Sequence, residues 1–338
     1  MLFPVFVLAI ISCAILTGCV RWYALRRLVD VPNQRSSHSI AIPRGGGAAV
    51  AMTVLSACAL VCFTQGDVPP STLAAIAALA TVAALGWIDD HYSLRAHTRL
   101  TIQLIVVSGV IWIAGLPTVH VGGVLLPLPS LILVPIAIAA CTWMINLTNF
   151  MDGIDGIACQ QAIIGCSGAA LAMALHGDAL FACDRWPLLL AVATIGASIG
   201  FLPWNWPRAR IFLGDVGSTF LGLVFALLVL AQIAAGVDVD IAVLPFMPFI
   251  ADATSTLVRR GWRRENLAVA HRSHLYQRLA VHWRAHWPVA LLYCCLALLG
   301  CIGSTLTLLG GLPHGSAIMA WCAIYSCVVW YGHRVAPS

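Results

Sequence analysis

A short polar segment in the middle of the chain, Asn146-Leu-Thr-Asn-Phe-Met-Asp-Gly-Ile-Asp-Gly156, carries side chains that could do chemistry. It contains the carboxylates Asp152 and Asp155 and the amides Asn146 and Asn149, and a glycine after each aspartate lets a ligand approach closely. Only 9% of the residues are charged and 61% are hydrophobic, so we expect these carboxylates to face a partner, a cavity or an ion. On a helix, their spacing would place both on one face. We interpret the segment as functional, although Asn146 alone could simply cap a helix.

A second pair of carboxylates, Asp89 and Asp90, lies at the end of a predicted helix. Adjacent carboxylates repel each other, which favours protonation of one of them unless a cation is bound. Neighbouring residues on a helix point about 100° apart. One aspartate could therefore face a metal or a proton donor while the other faces a second substrate. A solvated acidic pair at a helix end is the alternative interpretation.

A single carboxylate, Asp215, lies between Gly214 and Gly217 at the start of another predicted helix. A carboxylate in this position could stabilise the helix N-terminus. It could also bind Mg²⁺, which prefers oxygen ligands and is commonly shared between one or two carboxylates and the phosphates of a substrate. Phe212 offers a flat surface on which a base could stack, or it only packs against lipid.

Side chains that donate to phosphate lie in a polar, glycine-containing segment at 30–47. Arg35, His38 and Arg44 can donate to phosphate oxygens, and the glycines permit close backbone approach. An ordinary basic loop facing the cytoplasm would also explain this composition.

A further basic cluster, His271, Arg272 and His274, could hold a diphosphate. The arginines that precede it, at 259–264, are interpreted as a stretch facing lipid headgroups. Zinc is not predicted, because the histidines have no cysteine partner and no HExxH pattern.

These polar segments separate long apolar ones. The mean hydropathy of +0.93 is typical of an integral membrane protein, and the apolar runs are too long for the strands of a membrane β-barrel. We therefore predict an all-α, polytopic helical bundle. About eleven segments have the length of a membrane-spanning helix, roughly 1–20, 45–64, 71–88, 100–116, 129–145, 157–175, 187–203, 216–235, 241–257, 288–310 and 315–332.

The basic residues predict the orientation of this bundle. All 18 of them are arginines, and every one except Arg185 falls on the same side of the predicted topology. The positive-inside rule assigns that side to the cytoplasm. Arg21, Arg26 and Arg27 directly follow the first apolar segment, which favours a retained helix with its N-terminus outside. The C-terminus is then cytoplasmic.

One membrane domain, 1–338, accounts for the whole chain. The 13 cysteines show no metal-type or disulfide spacing and are interpreted as packing residues. The combination of carboxylates, phosphate donors and an aromatic side chain favours metal-assisted phosphoryl transfer. The active site is predicted in five cytoplasmic loops, 21–44, 86–99, 146–156, 204–218 and 258–287.

In the type and order of these motifs, the chain resembles the polyprenyl-phosphate N-acetylhexosamine-1-phosphate transferases, of the glycosyltransferase family 4 type. The resemblance covers nearly the full length, and its most specific elements are Asp89-Asp90, 149–156 and 212–218. It implies transfer of a sugar 1-phosphate from a UDP-N-acetylhexosamine-type donor to undecaprenyl phosphate, with release of UMP and a need for Mg²⁺ or Mn²⁺. The expected location is the bacterial inner membrane, with the active site facing the cytoplasm. The lipid bilayer is an expected partner and nucleic acid is not, while a homodimer is left open.

The resemblance also implies roles for individual residues. Asp215 would be the principal Mg²⁺ ligand, with Asp152 as a second, and Asp89 or Asp90 would assist the lipid phosphate as nucleophile. Direct attack and a phospho-aspartate intermediate are both left open. The residues expected to bind the substrates are Asn149, Asp155, Asn205 and Phe212 for the UDP-sugar, His271, Arg272 and His274 for its diphosphate or sugar, and Arg35, His38 and Arg44 for phosphate.

Two departures from the family pattern narrow the subgroup. Relatives that carry the muramoyl-pentapeptide precursor have three consecutive histidines where this chain has His271-Arg-Ser-His, and a lysine after the paired aspartates where it has His91-Tyr-Ser-Leu. Both favour the branch that starts O-antigen or related surface glycans. Tyr276-Gln277 resembles relatives with N-acetylfucosamine- or N-acetylquinovosamine-type donors, but the donor sugar stays open.

Two alternatives are kept. One is a phospho-N-acetylmuramoyl-pentapeptide transferase of peptidoglycan synthesis. The other, from a different class, is an ion-coupled secondary transporter. Transporters place their sites near the membrane midplane, often between paired repeats, whereas the carboxylates here are predicted at cytoplasmic helix ends.

Overall fold

A computed structural model describes residues 2–30, 41–65, 67–176, 186–266 and 271–336. Most of these residues are helical, and ten helical segments of the described chain are long and apolar enough to cross a membrane, with the interrupted stretch Val239–Trp262 counted as one. Another helix, Ser316–Val335, has 20 residues but is less apolar than those ten. The chain is thus a polytopic helical membrane protein, as predicted.

Each of the eleven predicted segments coincides with helix. In the described residues the helices are α1 (Leu2–Arg27), α2 (Gly47–Gln65), α3 (Pro70–Tyr92), α4 (Ala96–Ala114), α5 (Ser130–Met151), α6 (Ile157–His176), α7 (Trp186–Asn205), α8 (Gly214–Ala234), α9 (Val239–Val243), α10 (Met247–Trp262), α11 (Leu275–Trp283), α12 (Trp287–Leu308) and α13 (Ser316–Val335). Two antiparallel hairpins of two-residue strands complete the fold, β1 (Val29–Asp30) with β2 (Ile42–Pro43) and β3 (His120–Val121) with β4 (Val124–Leu125).

The polar segment 146–156 is only partly a turn. Helix α5 continues to Met151, so Asn146 lies inside it and caps no helix end. Its amide instead donates to the side chain of Gln103 at 2.7 Å. Asp152 and Asp155 lie between α5 and α6, so the helical spacing considered above does not apply to them.

The predicted span 241–257 is not one regular helix. It consists of α9, a 3₁₀ turn at Leu244–Phe246, and α10. Pro245 and Pro248 lie at this break. Because proline has no N–H and its ring crowds the preceding turn, two prolines three residues apart favour the break seen here. Single prolines are accommodated within α5, at Pro135, and within α7, at Pro203.

Helix α8 forms the centre of the bundle, where it packs against α3 and α5. Its buried face includes Phe220 and Phe225, and Phe225 stacks on Phe246 with ring centroids 4.9 Å apart. Most of its residues are buried, which explains why it is apolar on all sides rather than amphipathic.

The helices alternate in direction, which gives the bundle two ends. The site end carries the ends of α3, α5 and α7 and the starts of α4, α6 and α8. The far end carries the β3–β4 hairpin, α9 and the turn at 309–315. All the described polar segments singled out from the sequence lie at the site end.

Candidate active site

A cavity of about 1310 Å³ opens at the site end. Its walls come from the first loop, the ends of α3, α5 and α7, the start of α8, and the turn between α11 and α12. The predicted site residues that line it are Arg44, Asp90, Asn149, Asp152, Asp155, Asn205, Phe212, Asp215 and Arg272.

Asp90 connects α3 to α8. Its side chain is 1% exposed, and its two oxygens accept the N–H groups of Asp215 and Val216, each at 3.1 Å. A carboxylate at this position satisfies orphan donors of the helix N-terminus. Arg44 approaches the same carboxylate at 3.8 Å and donates to the Asp90 carbonyl oxygen. Asp90 therefore fixes the position of the α8 N-terminus, and with it the position of Asp215 in the cavity.

Asp89 points elsewhere, as expected for neighbouring residues on a helix. It accepts the N–H of Leu94 at 2.6 Å and forms an ion pair with Arg99, which lies in the first turn of α4. The same guanidinium lies 4.0 Å from Asp215. Among the described cavity residues Asp90 is present and Asp89 is not. Arg99 was not singled out from the sequence, because nothing local distinguishes it from the other arginines.

The carboxylate of Asp215 is hydrogen-bonded to a side chain near the end of α5. The side-chain amide of Asn149 donates to its Oδ1 at 2.5 Å and to Ser218 Oγ at 2.9 Å. Asp152 follows α5 directly, and its carboxylate accepts no hydrogen bond from the described part of the chain. Burial raises the pKa of Asp152 well above its usual range, and Asp215 is the next largest cause. Asp152 and Asp215 therefore line one cavity and repel each other electrostatically, which a bound cation would relieve.

Asp155 and Asn205 also line the cavity. Asn205 accepts the N–H of Gly156 at 2.9 Å and donates to the carbonyl oxygen of Ile211 at 3.0 Å, so it ties two loops together. Asp155 accepts the N–H of Ala209 at 3.2 Å. Its Oδ2 also lies 3.3 Å from Nδ1 of His286, a cavity residue that the sequence did not single out.

The cluster His271, Arg272 and His274 is divided by the structure. Within the described residues, Arg272 lines the cavity and the two histidines do not. Their rings stack on each other with centroids 4.9 Å apart, and His274 is 4% exposed. Burial, and then His274, lower the pKa of His271 to about 4. The two histidines therefore lie beside the cavity wall rather than on it.

Two predicted phosphate ligands, Arg35 and His38, lie outside the described residues. Arg44 is the described member of that group, and it lines the cavity. The cavity also contains basic side chains that were not predicted, Arg208 and Arg284.

The side chains of the cavity include ligands that suit Mg²⁺. No three His, Cys, Asp or Glu side chains of the described residues converge into a protein-only metal site. Mg²⁺ does not require one, because it usually keeps waters and shares one or two carboxylates with substrate phosphates. Asp152 and Asp215, which line the same cavity and offer oxygen atoms as donors, fit that arrangement.

Backbone contacts between glycines bring α2, α3 and α8 together beneath the carboxylates. A Cβ built on Gly47 would lie 2.2 Å from the Cα of Gly217, and one built on Gly86 would lie 2.6 Å from the carbonyl oxygen of Asp215. Any larger residue would force these helices apart. The glycine junction, Gly47, Gly86 and Gly217, therefore sets the distance between Asp90 and Asp215.

Comparison with known proteins gives a consistent result. The model of glycosyl transferase family 4 matches residues 72–233, a region that contains the cavity residues Asp90, Asp152, Asp155 and Asp215. The chain is 33% identical over 311 residues to the decaprenyl-phosphate N-acetylglucosaminephosphotransferase of Mycolicibacterium smegmatis, which covers 82% of this chain and 74% of the relative. It is 29% identical over 296 residues to the probable undecaprenyl-phosphate N-acetylglucosaminyl 1-phosphate transferase of Bacillus subtilis, covering 83% and 78%. A phospho-N-acetylmuramoyl-pentapeptide-transferase of Leuconostoc citreum is 25% identical over 238 residues, covering 64% and 68%.

Proposed function

Because this chain belongs to glycosyl transferase family 4, we propose that it transfers an N-acetylhexosamine 1-phosphate from a UDP-sugar to undecaprenyl phosphate. The names of the relatives support the general reaction, with a polyprenyl phosphate as acceptor. An oxygen of the acceptor phosphate forms a bond to the sugar-bearing phosphorus of the donor. The bond from that phosphorus to the bridging oxygen breaks, and UMP leaves.

The observation that carries the proposal is the composition of the cavity. Asp152 and Asp215 lie on its wall together with Arg44 and Arg272. Carboxylates and guanidinium groups in one cavity suit a diphosphate that arrives with a divalent cation. A binding pocket for a neutral solute would need neither.

In this proposal Asp215 and Asp152 hold Mg²⁺, or Mn²⁺ in its place. The ion, when bound, would neutralise phosphate charge and polarise the phosphorus that is attacked. Asn149 keeps the Asp215 carboxylate in position through its 2.5 Å hydrogen bond. Arg272 and Arg44 are placed to contact the diphosphate from the cavity walls.

The acceptor phosphate is assigned to Asp90 rather than Asp89. Both carboxylates accept backbone N–H groups, but among the described residues Asp90 lines the cavity and Asp89 does not. Asp90 would orient the acceptor phosphate and could take its proton. The uracil is assigned to Asp155 and Phe212, since both line the cavity and a base can stack on an aromatic ring.

We further propose that the site end faces the cytoplasm of a bacterial inner membrane. The positive-inside distribution of arginines supports this orientation, and UDP-sugars are cytoplasmic donors. The absence of a histidine triplet at 271–274 and of a lysine after Asp90 supports a role in starting O-antigen or related surface glycans.

The test is a donor panel. Membranes containing the chain are incubated with undecaprenyl phosphate and a series of UDP-N-acetylhexosamines, with UDP-N-acetylmuramoyl-pentapeptide as the competing donor. UMP release is measured, and the lipid product is identified by its mass. A product only with the pentapeptide donor would establish the more distant alternative. Solute movement across liposomes without UMP release from any donor would refute transferase activity.

A further inference from the structure

Asp252 is a fully buried carboxylate in α10 that binds two neighbouring helices. The N–H groups of Leu275 and Tyr276, the first residues of α11, donate to it at 2.9 and 3.0 Å. The hydroxyl of Tyr293 in α12 donates at 2.5 Å. Thr256, one turn further along α10, donates at 3.2 Å. The contacts of this one side chain therefore fix the arrangement of α10, α11 and α12.

Helix α11 depends on this contact for its N-terminal cap. The first N–H groups of a helix have no partners within it, and the N-cap residue of α11, His274, makes no side-chain hydrogen bond to it. Asp252 supplies the cap from another helix, where a negative charge is also favoured by the helix dipole. The ring of His274 lies 3.6 Å from Asp252, which is ion-pair distance when the imidazole is protonated.

The capped helix is joined to the cavity on both sides of the cap. The hydroxyl of Tyr276 donates to the carbonyl oxygen of Phe150 at 2.8 Å, close before Asp152 in the chain. A Cβ built on Gly153 would lie 2.2 Å from the same hydroxyl. On the other side of the cap, Arg272 lines the cavity. The start of α11 therefore sets the spacing between Arg272 and Asp152.

We propose that Asp252 is a positioning residue for the sugar-1-phosphate transfer, an inference that rests on the proposed function. Among the described residues it does not line the cavity, so it acts through α11. It holds Arg272 toward the donor diphosphate and Tyr276 against the loop that carries Asp152. His274 belongs to the same buried assembly and positions Arg272, rather than contacting the substrate.

If Asp252 had only a structural role, its substitution would have a different outcome. Removing the charge of a buried, hydrogen-bonded carboxylate destabilises the fold, but a purely structural role would leave the turnover of the molecules that still fold unchanged. A displacement of about 1 Å near reacting groups, in contrast, can lower turnover on the order of 10²-fold. The distinguishing measurement is turnover per folded molecule.

The experiment compares D252N with D240N in the full-length chain. Asp240 is also buried and also accepts a backbone N–H, from Gly122, but it lies at the far end. We expect D252N to lower kcat on the order of 10²-fold with the apparent KM for the lipid acceptor unchanged, and D240N to leave kcat unchanged. Equal kcat values for the two folded variants would overturn the inference.

A double variant tests the route through Arg272. If Asp252 acts by placing that guanidinium, D252N adds little to the loss already caused by R272A, because the two residues act as one unit. Losses that multiply fully would refute this route.

Hydrogen exchange gives a readout that needs no substrate. In D252N, exchange at the N-terminal amides of α11 should become faster than in the wild type, and in D240N it should not change. Unchanged exchange in D252N would overturn the positioning role even if turnover fell. A wild-type chain that releases no UMP refutes the proposed function, whereas an active wild type with an equally active D252N refutes only the role of Asp252.

Discussion

The two ends of the helix bundle use their carboxylates in opposite ways. At the far end, Asp238 and Asp240 are each 7% exposed. They accept the N–H groups of Gly123 at 2.5 Å and Gly122 at 3.0 Å. Asp238 also lies 2.9 Å from Nδ1 of His314. These contacts attach the β3–β4 hairpin to the bundle.

At the site end, acceptor capacity is left unused. Asp152 accepts no hydrogen bond from the described residues, and Asp215 shares its carboxylate with the amide of Asn149 and a guanidinium 4.0 Å away. Partly buried carboxylates without partners are unfavourable unless a ligand or ion completes them. Burial alone therefore does not separate structural from functional carboxylates in this membrane protein. Asp152 and Asp215, which are proposed to hold the cation, differ from Asp238 and Asp240 in that they line a cavity and keep acceptor capacity.

Removal of divalent cations should separate the two ends most completely. Excess chelator is expected to abolish UMP release, and added Mg²⁺ or Mn²⁺ to restore it, because only the site-end carboxylates are proposed to hold a cation. The variant D238N, altered at the far end, should show the same loss and the same recovery. Full turnover in chelator would contradict the metal role of Asp152 and Asp215.

Substitution of one site-end carboxylate should be nearly as severe. D215N is expected to lower kcat on the order of 10³-fold, since loss of metal-assisted charge stabilisation removes several kcal/mol. Thermal unfolding should remain cooperative, because the amide retains the shape of the side chain. D240N is the matched control and should keep its kcat. Near-normal turnover in D215N would remove the assignment.

Substitution of Phe212 should have a smaller effect than substitution of Asp215. Stacking of a base on an aromatic ring contributes about 1–3 kcal/mol, so F212A should raise the apparent KM for the UDP-sugar about 10-fold. The apparent KM for the lipid should change much less. F3A, at a 75% exposed position on α1, serves as the control. An unchanged donor KM in F212A would refute the stacking role.

At the far end the expected pattern is reversed. D238N should lower the free energy of unfolding by about 1–3 kcal/mol, because the N–H of Gly123 and the ring of His314 lose a charged acceptor. Its kcat should equal that of the wild type. Thermal unfolding and turnover are measured on the same preparation. A loss of turnover without a loss of stability would break the comparison.

Acid should produce the smallest effect. The pKa of His271 is lowered to about 4 in the folded protein, whereas an unfolded histidine titrates near 6.5. The unfolded state therefore binds the proton first, and stability present above pH 6.5 is lost as the pH falls toward 4. H271Q should flatten this decline in thermal unfolding temperature, and H97Q, at an exposed position, should not. An identical decline in H271Q would show that other groups cause it.

The sequence predicts the helices well because hydropathy acts locally. It predicts the break at Pro245 and Pro248 less well, since an apolar run with two prolines still has the length of a span. Helix α11 is missed because its nine residues are amphipathic and short. These failures share a cause, since each depends on packing against helices distant in the chain.

The residues of the site that face the cavity were predictable from the sequence, whereas the residues that position them were not. Asp152, Asp215 and Arg272 stand out in an apolar chain, and the structure brings them to one cavity. Asp252 and His286 do not stand out, because their importance comes from contacts to Tyr276 and Asp155 made across the bundle. The histidines 271 and 274 share the motif of Arg272, but their burial is a tertiary property.

The glycine junction of α2, α3 and α8 bears on how inhibitors of this site would fare. A side chain at Gly47 or Gly217 would meet backbone atoms closer than 2.8 Å, and one at Gly86 would meet the carbonyl oxygen of Asp215. Among the described residues these three glycines do not line the cavity, yet a side chain at any of them would push apart the helices that carry Asp90 and Asp215. A compound that depends on the relative position of Asp90 and Asp215 would therefore meet few tolerated substitutions at the junction, in contrast to one that relies on the loops around Arg44 or Arg284.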